Sequence, residues 1–108
     1  METMKQERRG LRFAFKAEAQ IAPENAPINL TQGRITELSL RGCLIETAAS
    51  FEEQRRVLVK IFHRGEYYES EASVLYVRPG GMGLEFRETK SHFRMVLQKW
   101  ILTALNEQ

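Results

Sequence analysis

The stretch Leu11-Arg-Phe-Ala-Phe-Lys-Ala-Glu-Ala-Gln-Ile21 decides the fold. Leu11, Phe13, Phe15, Ala17, Ala19 and Ile21 share one face, while Arg12, Lys16, Glu18 and Gln20 lie on the other. Successive side chains of an extended backbone point to opposite sides, so this period of two predicts a strand with one buried and one wet face. Further runs of strand character follow. Gly33 to Ser39 reads as a short strand entering a turn at Ser39 to Gly42, Cys43 to Thr47 as the next strand, and Arg55 to His63 as another. Pro23 to Pro27 punctuates, since neither proline can serve in a central ladder. Ala48 to Gln54 reads as a loop with room for one helical turn, and Arg64-Gly65-Glu66 as a hairpin loop. Tyr67 to Arg78 reads as a long, bent or bulged strand that Pro79-Gly80-Gly81 turns into Met82-Gly-Leu-Glu-Phe86. Six or seven strands with short connections favour a small antiparallel barrel, which leaves no open sheet edge.

The period then changes. Phe93, Val96, Leu97, Trp100, Ile101, Ala104 and Leu105 recur at three- and four-residue spacing, the pattern of an amphipathic helix. Thr89 or Ser91 is available to cap its start. Such a helix needs a surface to cover, and a barrel side or mouth is what the chain offers. Trp100 accordingly reads as core. The fold class expected is mainly β, a small six-stranded antiparallel barrel over 11–87 with a C-terminal helix over 90–106. A flexible basic arm, 1–10, precedes it, and 1–108 reads as one domain. With 108 residues, 43% of them hydrophobic, the chain can bury one core without metal or disulfide support.

Several functions are excluded at this level. Cys43 is the one cysteine, so no internal disulfide forms, and a lone thiol suits a reducing cytoplasm. The charged N-terminus has no apolar stretch behind it and reads as no signal peptide. The most apolar segment, Phe93 to Leu105, is broken by Arg94, Gln98 and Lys99 and is too short to span a bilayer. A cytoplasmic protein without membrane insertion is expected. His63 and His92 stand apart from each other and from Cys43, so no metal-ligand spacing is visible. With no nucleophile–base pair and no phosphate loop of the P-loop type, neither catalysis nor a cofactor is expected.

The formal net charge of +2 is too small to imply nucleic-acid binding, but its distribution is uneven. Lys5, Arg8, Arg9, Arg12 and Lys16 face only Glu2 and Glu7 within the first sixteen residues. The ordinary reading of such an arm is a solvated terminus. A sharper one starts from Arg8, Arg9 and Arg12, whose guanidinium forks stay charged and can grip phosphate or the acceptor edge of guanine through paired hydrogen bonds. Glu37-Leu-Ser-Leu-Arg-Gly42 supplies a carboxylate, a hydroxyl and a turn glycine. A carboxylate cannot bind phosphate, yet it accepts from the N–H groups on guanine's other edge. Gly42 reads either as an ordinary turn glycine or as one that admits close backbone approach to a ligand, with a positive φ.

Arg8-Arg9-x-x-Arg12, then Glu37-x-Ser39-x-x-Gly42, then Val74 to Phe86 and a closing helix resemble the PilZ domain family over nearly the whole chain. The resemblance implies a six-stranded barrel with a C-terminal helix that serves as a receptor for the bacterial second messenger cyclic di-GMP. Carried over residue by residue, the ligand-binding set is Arg8, Arg9, Arg12, Glu37, Ser39 and Gly42. The arginines would wrap the ligand against the barrel while the second motif reads guanine. Glu37 departs from the family's usual Asp or Asn, which extends the acceptor by one methylene. The resemblance further implies that the ligand can stack as an intercalated pair. A receptor of one domain must relay the signal by docking on another protein or by altering its own assembly. Two alternatives stand beside this reading. One is a degenerate PilZ-like protein-interaction module that no longer binds nucleotide, for which Glu37 speaks. The other is a small-barrel RNA or single-strand DNA binder, which would set aromatic residues on an outer strand face among positive charges. Phe13 and Phe15 read as inward-facing, so no nucleic-acid partner is expected.

Overall fold

The computed structural model describes residues 12–107. The first strand, β1 (Phe13–Pro23), buries Phe13, Phe15, Ala17, Ala19 and Ile21 and exposes Ala14, Lys16 and Glu18, as the alternation requires. After it come β2 (Thr31–Leu38), β3 (Gly42–Thr47), β4 (Arg56–His63), β5 (Glu66–Arg78) and β6 (Gly81–Phe86), then helix α1 (Ser91–Asn106). All strand pairings are antiparallel, and the order β1-β2-β3-β6-β5-β4 returns to β1 to close a barrel. The expected basic arm, with Arg8 and Arg9, lies outside the described residues.

The strand count is six rather than seven because Glu66–Arg78 remains one strand. Its first half pairs with β4 and its second half with β6, and the register slips between Val74 and Tyr76. A bulge there bends the strand without breaking it. At the β4–β5 hairpin, Arg64 and Gly65 have φ of 53° and 81°, the left-handed values that tight two-residue hairpin turns need. Pro23 does enter a ladder, opposite Val57, but as the terminal residue of β1, where its missing N–H interrupts nothing further along.

The barrel interior is filled from every strand by residues such as Ile21, Ile35, Ile45, Val59, Ile61 and Met82. The helix buries Phe93, Leu97, Trp100 and Ile101 against the barrel wall, mainly on β5 and also on β1. Trp100 stacks on Phe15 with ring centroids 5.7 Å apart and meets His63 edge-on at 5.4 Å. Its indole Nε1 donates to Glu66 Oε1 at 3.3 Å, and Lys99 Nζ donates to the other carboxylate oxygen. Those donors, the Lys99 ammonium first, hold the Glu66 carboxyl below its ordinary pKa. Toward the other end of the helix, Phe93 packs on Tyr67 and Tyr68. Neither Thr89 nor Ser91 caps α1. Lys90 occupies the N-cap position without a side-chain bond, because Thr89 Oγ1 donates across to the Glu69 carbonyl at 2.7 Å and ties the linker to β5. No helix among the described residues is long and apolar enough to cross a membrane.

Candidate functional site

Two irregularities bend the barrel wall where β1 begins and β2 ends. The β1–β2 register shifts between Ala14 and Ala17, and the β2–β3 register shifts between Ile35 and Glu37. Bulges raise the local twist and re-aim side chains. At this end lies a cleft of about 330 Å³, lined by Arg12, Glu37, Ser39 and Gly42 together with Arg41, Tyr76 and Glu85. The four site residues expected from sequence that fall within the described chain thus share one cavity.

Each plays a different physical part. Arg12 Nη1 stands 3.9 Å from Glu37 Oε1, with side chains 64% and 41% exposed. An exposed pair at that distance contributes little stability, so both groups are open to exchange for a ligand. Ser39 is only 6% exposed. Its hydroxyl accepts from the backbone N–H groups of Arg41 and Gly42, both at 3.1 Å, and donates to the Gly42 carbonyl at 3.3 Å. Those bonds use its one donor and two acceptor positions, so Ser39 holds the turn in shape.

Gly42 needs a correction. Positive φ among the described glycines occurs at Gly65 and Gly80, not at Gly42. A Cβ at Gly42 would sit 1.9 Å from the Leu84 carbonyl oxygen, so the position is small because β3 and β6 pack closely at the pair Gly42–Glu85. The glycine therefore sets the distance between two strands that wall the cleft.

Arg41, Tyr76 and Glu85 line the cleft but escaped the sequence reading. Arg41 sits at the tip of the turn between Ser39 and Gly42. Tyr76 faces Gly83 across the β5 bulge, and a Cβ on Gly83 would come within 2.4 Å of its ring. Gly83 is thus the bed on which an aromatic ring rests at the cleft. The glycines of Gly81-Met-Gly83 were visible in sequence, but the bulge decides which aromatic residue covers which glycine. Cys43 also borders the cavity, buried, and its burial pushes the thiol up to about 12, so it stays protonated and unreactive. Among the described residues no three His, Cys, Asp or Glu side chains gather as metal ligands.

The family model for the PilZ domain matches residues 5–103, a span that holds the arginine motif, the Glu37–Gly42 turn, all six strands and most of α1. The chain belongs to the PilZ domain family. No curated protein sequence matches it. Solved PilZ structures share its fold at low identity. The PilZ domain of CeSA from a cellulose-synthesizing bacterium superposes with a TM-score of 0.69 at 14% identity, covering 86% of this chain and 96% of that one. The PilZ domain of YcgR from Escherichia coli, solved with c-di-GMP, gives a TM-score of 0.72 at 16% identity over 94% of each chain. The Bacillus subtilis inhibitor of motility, MotI/DgrA, gives 0.72 at 21% identity over 93% of this chain and 52% of that one. PilZ domains form a family of cyclic di-GMP receptors.

Proposed function

We propose that this PilZ domain binds cyclic di-GMP at the cleft around Arg12 and Glu37 and passes the signal to a partner protein, by conformational change or docking, without catalysing a reaction. The observation that carries the reading is the placement of a guanidinium, a carboxylate and an aromatic ring around one cavity, at Arg12, Glu37 and Tyr76. These are the groups a guanine nucleotide calls for. Arginine offers bidentate donors to phosphate or to guanine O6 and N7, a carboxylate accepts from guanine N–H groups, and an aromatic face stacks on a base. Arg8 and Arg9 add further charge from the arm. In this reading Ser39 and Gly42 shape the turn and the strand spacing rather than grip the ligand. A single cysteine with no internal disulfide partner suits a reducing compartment, and we assign the protein to the cytoplasm.

Titration calorimetry with cyclic di-GMP tests the proposal. Arg12→Ala removes charge-assisted contacts worth roughly 1.5–3 kcal/mol, so affinity falls about ten- to a hundredfold. Glu37→Asp preserves or tightens binding, and Glu37→Lys abolishes it by setting a cation against guanine's donors. The stoichiometry reads out whether one ligand or an intercalated pair binds. An Arg9→Ala, Arg12→Ala double variant of unchanged affinity refutes the site. A silent titration of the folded wild type favours instead the protein-interaction module. The nucleic-acid alternative has one point in its favour, since Phe62 and Tyr67 are exposed, with Lys60 Nζ 4.9 Å from the centre of the Tyr67 ring. That face also carries Glu69 directly opposite Lys60, which breaks the continuous positive track a single strand needs.

A further inference from the structure

Beside the first cleft lies a second, of about 350 Å³, between the Ser39–Gly42 turn and α1. Arg41 and Glu85 line both cavities, so the two adjoin at the turn. Their charges differ. Among the described residues the first cleft sets Arg12 and Arg41 against Glu37 and Glu85, which balances. The second sets Arg41, Arg87 and Arg94 against Glu85 alone, above a floor that includes Tyr68 and Leu97. The excess positive charge contributed by described residues is therefore in the second cleft.

Two details show how these cations are held. Arg87 Nε donates to Ser73 Oγ at 2.9 Å, and Arg87 Nη1 stands 3.8 Å from Glu85 Oε1, so that guanidinium is fixed in place. Arg94 stands in the first turns of α1, whose N-cap is Lys90 and whose first turn has no acidic residue. The N-terminal end of a helix carries partial positive charge and favours anions, so basic residues there oppose the helix's own field. Glu85, the one carboxylate of this cleft among the described residues, pairs with Arg87 and not with Arg94, and a local rule broken in this way is expected at functional or strained sites.

We propose that the cleft between the turn and α1 is a second anion subsite, which receives a phosphodiester of the ligand whose guanine occupies the first cleft and ties that ligand to the helix through Arg94. This rests on the proposed reading of the first cleft. A cyclic dinucleotide, with two bases, two sugars and two phosphates, is larger than either cavity alone and reaches around the turn. Ligand occupancy then stiffens the start of α1, while the far half of the helix stays anchored by Trp100 and Lys99 on Glu66.

The experiment is a cyclic di-GMP titration of wild type, Arg12→Ala, Arg94→Gln and Arg34→Gln, joined to amide exchange of α1. Arg34 is exposed on β2 and lines neither cleft, so its variant controls for loss of one charge. Arg94→Gln keeps helix propensity and relieves the unfavourable charge at the helix start, so it folds at least as well as wild type and any loss of affinity is a loss of contact. The expected result is affinity lowered about three- to tenfold in Arg94→Gln and unchanged in Arg34→Gln. Ligand protects the amides of residues 93–96 in wild type and fails to do so in Arg94→Gln. If wild type binds, Arg12→Ala weakens it and Arg94→Gln matches wild type, the second subsite is overturned while the first-cleft reading stands. If folded wild type does not bind, the first-cleft reading fails and this inference falls with it.

Discussion

Replacing Gly42 by alanine separates a glycine needed for its backbone angle from one needed for the closeness of its neighbours. The added methyl would lie 1.9 Å from the Leu84 carbonyl oxygen, whereas real Cβ atoms essentially never come within 3.0 Å, so β3 and β6 must part by about 1 Å. The obstacle is backbone on a paired strand and cannot rotate away. Parting the strands at Gly42–Glu85 also weakens the neighbouring ladder pair Cys43–Leu84. Overpacking costs about 1–3 kcal/mol and a weakened backbone hydrogen bond about 1 kcal/mol more. A loss of about 2–4 kcal/mol is large against a total stability of about 5–15 kcal/mol and lowers the melting temperature by roughly 10–30 °C. Thermal and urea unfolding followed by circular dichroism give the readout. Gly80→Asn is the comparison, because its Cβ meets nothing and asparagine tolerates the positive φ found there. It should melt within a few degrees of wild type. Cleft walls at Cys43, Leu44, Leu84 and Glu85 belong to the displaced strands, so ligand affinity of the folded Gly42→Ala protein, measured in the cold, should fall as well. A Gly42→Ala melting curve that overlays wild type would refute the reasoning.

Trp100→Ala should cost about 3–5 kcal/mol, since it empties a buried ring site against Phe15 and His63 and leaves Glu66 with one donor fewer. Truncation before Trp100 should be at least as damaging, and a cooperative, unshifted melt of either variant would refute the packing assigned to α1. Burial, and next the Arg64 charge, lower the His63 pKa from 6.5, so the unfolded chain takes up that proton first. Stability from this group is complete above about pH 6.5 and is lost as pH falls through the lower folded value. A urea midpoint that drops from pH 7.5 to pH 5.5 in wild type, and drops less in His63→Gln, is the expected observation. Cys43 has the opposite sense. Its folded pKa is raised to about 12, so the unfolded thiol ionises first and stability falls as pH rises from about 8.5 toward 12. Iodoacetamide at pH 8.5 should leave folded Cys43 unmodified and label it quickly in urea, and equal rates would contradict its burial.

The amino-acid sequence by itself determined the elements and the chemistry available to the site. Period-two runs such as Phe13 to Ile21 and the period change at Phe93 are written in successive residues, because backbone geometry alone dictates where each side chain points. The identities of Arg12 and Glu37 declared the charges a ligand would meet. Only the tertiary structure decided what those residues face. Ser39 proved to bond its own turn and Thr89 a carbonyl on β5 instead of the helix start, while Gly42 proved to lie hard against the backbone of β6. Arg41 and Tyr76 joined the cleft without any local signal, the latter through a bulge that sets its ring on Gly83. The physical reason is that the cleft is made by register between strands remote in sequence, β3 beside β6, and by the slipped register of β5 on β6, and that register follows from closing the barrel around a shared core. Local periodicity says which side of a strand is wet, and barrel closure says what stands across from it.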